Sequence, residues 1–433
     1  MFNVIHQKLD SGSRLIMVPM SSLKSITALV LVNTGSRYEE STKLGAAHLL
    51  EHLVFKGTKN YPDGYKLSIA LDSIGASSNA FTSKEYTGFY VTAASNHLEY
   101  CLKILKELVF FPLIRPHDVD SEKSVVIEEI KMYRDSPDDF ISDEYEQAIY
   151  RGTSLEHPIC GTIESVQRQS AASLREFLQK WYGLENITLV IAGDELELNK
   201  PDLLKNILKI FSEKDIAKTR SKNHVLNRAN GHQQRRQKFL TNNSLFSDEK
   251  LIKRQRPTEQ AHVVLGWPAL ERDHPQRFAL NLLSTIMGGN RSSRLFYTVR
   301  EQANLAYYVY SDVDQYHDGG LLGVSAGLNL EKKEEGIKLI TDEFMQLVDG
   351  TKPLSEAELK RAKDYLTGRI YLGLENSNSV ARHYGLSHLL YGRIEHPQEV
   401  VEGINSVKLE QIEKLAKKLI SAKEMRLAVV SPD

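Results

Sequence analysis

Leu44–Phe55 reads LGAAHLLEHLVF, an apolar run interrupted by three ionisable side chains, His48, Glu51 and His52. The spacing of its apolar residues predicts a helix over Thr42–Lys56, and positions i and i+4 place His48 and His52 on one face of it. Glu51 lies about a hundred degrees around the same turn. From Ala46 to Phe55 the other positions are Ala46, Ala47, Leu49, Leu50, Leu53, Val54 and Phe55, so three ionisable groups here would be costly to bury without a joint purpose. Two imidazoles aimed at one point fit a zinc ion, whose catalytic sites combine His and carboxylate ligands and keep one position open. The third ligand must come from another element. Ser121–Asp139, SEKSVVIEEIKMYRDSPDD, reads as a helix with acids at Glu122, Glu128 and Glu129. Glu122 and Glu129 are two turns apart on one face and Glu128 points about a hundred degrees away. One face can thus supply a ligand and a carboxylate that orients an imidazole, although an exposed acidic face has the same spacing.

Around this helix the chain reads as an α+β protein built twice. In the first half, strands fit Arg14–Pro19, Ile26–Thr34, Ser77–Phe81, Thr87–Ala93 and Asn186–Asp194, and further helices fit Tyr65–Ile74, Asn96–Phe111 and Pro116–Arg134. In the second half, strands fit Ala261–Trp267, Gly320–Ala326 and Met425–Val430, with helices at Phe278–Met287, Glu331–Val348 and Ser355–Leu372. Short turns between neighbouring strands favour antiparallel sheets with helices packed against them. The passage ITALVLVNTG (Ile26–Gly35) into LGAAHLLEHLVF is echoed by AHVVLGW (Ala261–Trp267) into FALNLLSTIM (Phe278–Met287). That echo suggests a duplicated domain. In the alignment His48 falls on Asn281, Glu51 on Ser284 and His52 on Thr285, so the second copy lacks the metal-binding groups.

Composition bounds the class. The chain has 433 residues, 41% hydrophobic and 26% charged, with a formal net charge of −1. This excludes collagen-like, coiled-coil and bulk disordered classes and gives no global field for nucleic acid or membrane. No apolar run is long enough to span a bilayer, and the N-terminal residues do not read as a signal peptide. With two cysteines, Cys101 and Cys160, the chain reads as cytoplasmic, with both thiols expected in the core. Residues 218–256 hold eleven Lys/Arg against two acids and read as an exposed basic linker. The expected division is therefore a zinc-bearing domain over 1–217, the linker over 218–256 and a homologous domain over 257–433. A nucleic-acid-binding role for the linker is the competing class; no phosphate-binding loop and no G-x-S-x-G elbow is present.

These residues resemble the pitrilysin-type zinc peptidases, whose signature is H-x-x-E-H, in the branch of mitochondrial processing peptidase and its bacterial relatives. The 76 residues between His52 and Glu129 match that family's spacing to its third ligand. Gly75–Tyr90, His157–Thr162, Asn186–Asp194 and Ser292–Tyr310 fit its patterns in order. The resemblance implies one zinc per chain held by His48, His52 and Glu129, Glu51 as general base, and Glu122 as the carboxylate behind the ligands. It places Asn79, Ala80 and Phe81 on a strand that takes up substrate backbone, and Arg300 and Tyr307 as a pair that the second half contributes to catalysis. It implies an endopeptidase acting on peptides or unfolded segments. Four such domains form the family's working chamber and this chain holds two, so a homodimer with a shared active site is expected. A catalytically silent scaffold subunit of the same family is the alternative.

Overall fold

Ile187–Asp194 has no polar alternation, so a strand there must be covered on both faces. The architecture follows from meeting that demand twice. The computed structural model describes residues 2–212, 216 and 245–433. These form two compact units, each around its own sheet.

The sheet of the first unit uses β1 (Ile5–Lys8), β2 (Arg14–Met20), β3 (Ser25–Val32), β4 (Ser77–Thr82), β5 (Thr87–Ala94) and β6 (Ile187–Asp194), in the order β1-β2-β6-β3-β5-β4. That of the second uses β7 (Leu251–Gln255), β8 (Ala261–Ala269), β9 (Ala306–Tyr316), β10 (Gly319–Leu328) and β11 (Arg426–Ser431), in the order β7-β11-β8-β10-β9. With β1 set aside, the two orders are the same when strands are matched in chain order, as duplication requires. The sheets are antiparallel apart from one pair in each, β2 with β6 and β7 with β11. These parallel pairs join the first and last strands of each copy, which no short turn connects.

One face of the first sheet packs on helices including Ala46–Leu53 and Leu98–Phe110. The other face, with Ile16, Val18, Leu29, Leu31, Val190 and Ala192, is covered by Val380, Ala381 and Tyr384 of the helix Ser377–Tyr391. Gly385 lets this helix approach closely, since a Cβ there would meet Leu31 and Val190 at 2.7 and 2.8 Å. Thr27 Oγ1 reaches Ser377 Oγ at 2.9 Å. In the second unit, Ile141, Tyr145, Ala148 and Ile149 of the helix Pro137–Ile149 cover Val264, Leu321, Ala428 and Val430. Division in space thus differs from division along the chain: the first unit includes 371–396 and the second includes 131–156.

Two further details differ from the sequence reading. Residues 218–244 of the basic segment lie outside the described residues, but its end forms β7, so the linker is shorter than 218–256. Only Ile252 of β7 is buried, which is why its composition reads as linker. Cys101 sits in the core, whereas Cys160 is half-buried at its margin. Among the described residues no helix is long and apolar enough to cross a membrane.

In the second unit the Arg294 guanidinium holds Glu358 through bonds of 2.6 and 3.0 Å and also donates to the carbonyls of Lys352 and Pro353. Burial raises the Glu358 carboxyl, but Arg294 and Ser355 outweigh burial and hold it down to about 2. A depressed folded value adds stability that is complete above the unfolded value near 4.5 and is lost as the pH falls towards 2. Glu358→Gln is therefore expected to flatten the acid limb of a urea-denaturation profile between those pH values, by no more than about 3 kcal/mol.

Candidate metal centre

The helix bearing the two histidines begins at Ala46, four residues later than its apolar pattern suggests. Gly45 adopts φ +82°, a left-handed conformation that interrupts the helix on its N-terminal side. The Glu39 carboxylate takes the backbone N–H groups of Gly45 and Ala47 at 2.7 and 2.6 Å, supplying acceptors where the helix has none of its own. Burial pushes the Glu39 carboxyl up to about 8 despite these bonds. Six of the eight helical residues are buried, His48 among them.

His48 and His52 lie with ring centroids 4.7 Å apart. Glu129, on the helix Pro116–Asp135, faces both: His48 Nε2 is 3.7 Å from Oε1 and His52 Nε2 is 3.6 Å from Oε2. Both gaps exceed hydrogen-bond length. They suit a shared cation, because ligands about 2.1 Å from a tetrahedral zinc stand about 3.4 Å from one another. Burial holds the His48 imidazole below its ordinary range, favouring the neutral form that ligates. Glu128 is exposed and Glu122 buried, so the helix presents the Glu122/Glu129 face to the histidines. Glu122 Oε2 lies 3.3 Å from His52 Nδ1, and its other oxygen pairs with Lys56 Nζ at 2.5 Å. With the proton on Nδ1, the His52 Nε2 lone pair points at Glu129's side of the site. The donor set, two imidazoles and a carboxylate, is one that zinc accepts.

Glu51 is half-buried beside this cluster, and Thr82 Oγ1 on β4 donates to its Oε2 at 2.5 Å. Burial raises the Glu51 carboxyl and the Thr82 bond partly opposes that. A base with a raised pKa holds a proton more readily, as general acid–base exchange near neutrality requires. β4 is an edge strand of its sheet, paired with β5 alone. Asn79 is exposed there, and its Oδ1 accepts the Ala80 N–H at 2.8 Å. The Phe81 ring lies against Gly88 and under Arg382, whose guanidinium carbon is 3.9 Å from the ring centroid. Alternation along β4 puts Phe81 on the opposite face from Ala80 and Thr82.

Arg300 and Tyr307 belong to the second unit. Arg300 lies on a π-helical turn, Phe296–Gln302, an irregularity frequent at functional sites. Tyr307 is the second residue of β9, the edge strand that corresponds to β4, and is 73% exposed. The guanidinium carbon sits 5.9 Å from the Tyr307 ring centroid, so the structure brings these two together. The helix Arg277–Met287 occupies the place in the second copy that the histidine helix holds in the first. Ser284 Oγ there meets Ser311 Oγ of β9 at 3.0 Å, as Glu51 meets Thr82 of β4, and both groups are uncharged.

Sequence reasoning passed over Glu39 and Thr82, whose roles depend on which elements become neighbours. It also passed over Cys160: His48, Glu129 and Cys160 each place a donor atom within 4.8 Å of the others.

Comparison with known proteins places the chain among zinc proteases. Residues 16–163 match the family model "Insulinase (Peptidase family M16)" and residues 169–366 match "Peptidase M16 inactive domain". The chain is 33% identical to the uncharacterized zinc protease YmxG of Bacillus subtilis over 424 residues, 98% of this chain and 97% of that one. It is 27% identical to an uncharacterized zinc protease of Rickettsia felis, over 97% of this chain and 95% of the other. In fold it matches a protease from Helicobacter pylori with a TM-score of 0.86 at 20% identity, over the whole of both chains. It also matches a Pseudomonas fluorescens structure described as a peptidase M16 inactive domain, with a TM-score of 0.85 at 19% identity over 100% of this chain and 98% of that one.

His48→Ala and Glu129→Ala are each expected to abolish stoichiometric zinc binding. Glu122→Gln should weaken it by about 10–100-fold, the usual cost of losing an orienting carboxylate. Competition with a chromophoric chelator measures both, and an unchanged affinity in Glu122→Gln would refute its orienting role.

Proposed function

The chain belongs to peptidase family M16, the insulinase family, and on that premise we propose that it is a zinc-dependent endopeptidase for peptides or unfolded segments. The observation that carries this reading is the pair of gaps, 3.7 and 3.6 Å, across which two imidazole nitrogens face the Glu129 carboxylate, with Glu51 beside them. His48, His52 and Glu129 would hold the zinc. When bound, zinc polarises the scissile carbonyl and acidifies water. Glu51 takes the proton from the attacking water and delivers it to the leaving amine, with Thr82 fixing its carboxylate. The substrate lies along the free edge of β4 as an added strand, so main-chain bonds hold it with loose sequence preference. In that arrangement the Ala80 N–H leaves the Asn79 side chain for a substrate carbonyl.

Arg300 and Tyr307 complete the site from a second copy of the chain. Tyr307 is exposed on an edge strand and its ring is backed by Arg300, which suits a hydroxyl offered to the oxyanion of a substrate held elsewhere. The working unit in this reading is a homodimer with each active site shared between subunits.

Glu51→Gln is expected to lower kcat on a fluorogenic peptide by about 10²–10⁴-fold, the range for a lost acid–base group, with zinc content unchanged. Retained cleavage would remove Glu51 from the chemistry, and a parent protein that binds zinc but cleaves nothing would favour a silent scaffold. Sharing of the site is tested by mixing His48→Ala and Arg300→Ala chains under conditions of subunit exchange. Activity is expected to return, and its absence from confirmed mixed dimers would rule out a shared site.

A further inference from the structure

Cys160 occupies a four-residue turn, Pro158–Gly161, closed by the Gly161 N–H on the Pro158 carbonyl at 3.0 Å. Several contacts dock this turn on the N-terminal end of the histidine helix. Gly45 faces the Cys160 carbonyl, and a Cβ there would come within 2.5 Å of that oxygen. Gly161 faces Leu44 and Gly45, and a Cβ on it would come within 2.8 Å of the Leu44 carbonyl oxygen. Both glycines take left-handed φ values, +82° and +74°. Lys84 Nζ, itself buried, donates to the His157 carbonyl at 2.7 Å. Thr162 then caps the helix Ile163–Arg168 in a reciprocal pair with Ser165. The turn is thus fixed on both sides of Cys160, and its place depends on two residues that cannot carry a side chain.

The sulfur so placed is not isolated. A nitrogen of His48, an oxygen of Glu129 and Cys160 Sγ all lie within 4.8 Å of one another. His48 is only 8% exposed, and its Nε2 faces Glu129 Oε1 at 3.7 Å, a gap too long for a hydrogen bond. Sulfur is a favoured donor to zinc, at about 2.3 Å. We infer that Cys160 is a fourth protein donor to the metal of His48, His52 and Glu129. The inference rests on the zinc-peptidase reading and adds a residue to it. With zinc bound, Cys160 would ligate as a thiolate, its proton released to solvent, and would contend with water for the metal, so that it would shield the metal when no substrate is present.

Cobalt(II) in place of zinc tests this without reference to activity. Cobalt-loaded full-length protein is expected to show a near-ultraviolet sulfur-to-metal charge-transfer band beside the visible d–d bands. Cys160→Ser and Cys160→Ala should lose the charge-transfer band and keep the d–d bands, whereas Cys101→Ala should keep both. Zinc affinity should fall by at least about 10-fold in both Cys160 variants, with unchanged far-ultraviolet circular dichroism. If the d–d bands appear with no charge-transfer band in the parent protein, the inference is overturned and the zinc reading stands. If neither cobalt nor zinc binds the parent protein, both are overturned.

Discussion

A short helix that buries six of its eight residues while carrying two imidazoles and a carboxylate is the constraint on which this structure turns. Each polar group withdrawn from water needs a compensating partner. Glu39 serves the first N–H groups of the helix, Thr82 serves Glu51, Glu122 serves His52, and Glu129 faces both ring nitrogens. These partners come from a preceding loop, an edge strand and a helix about 70 residues further on. The architecture of the first unit brings these distant segments together along one short helix, Glu39 at its start and Thr82, Glu122 and Glu129 towards its end.

The second unit shows the same frame without that constraint. Its sheet repeats the strand order, and its corresponding helix approaches the corresponding edge strand. The positions aligned with His48, Glu51 and His52 are Asn281, Ser284 and Thr285, which satisfy themselves locally: Thr285 Oγ1 donates to the Asn281 carbonyl at 2.8 Å and Ser284 pairs with Ser311. Without charge to compensate, no acidic helix has to be recruited. The matched family model is described as an inactive domain, which agrees with this loss.

Periodicity made much of this legible. The strands of the first sheet core and the helices Leu98–Phe110 and Pro116–Asp135 lie close to their predicted positions, because their apolar patterns are strong. The histidine spacing carried the metal reading; helix spacing set Glu122 and Glu129 on one face apart from Glu128, and the resemblance selected Glu129 of that pair as the ligand. Other features depend on tertiary neighbours and leave no local trace. β1 buries no residue and β7 only Ile252, so neither has a strand signature. Ser377–Tyr391 is buried by a sheet encoded more than 180 residues earlier, and nothing in its own pattern says so. Cys160 reads as a small apolar residue until the turn that carries it is docked by Gly45 and Gly161.

The exchanged helices also bear on how the protein is made. The apolar face formed by Ile16, Val18, Leu29, Leu31, Val190 and Ala192 exists once residue 194 has been synthesised, but its cover, Val380, Ala381 and Tyr384, comes near the end of the chain. At about 5–20 residues per second, the nascent first unit waits roughly 10–40 s with that surface bare. Such a surface is prone to aggregation, so growth on the ribosome calls for a holdase, or for slow sheet closure, until the late helix emerges. For the same reason a fragment cut at the chain's midpoint would lack one wall of the unit that carries the histidines.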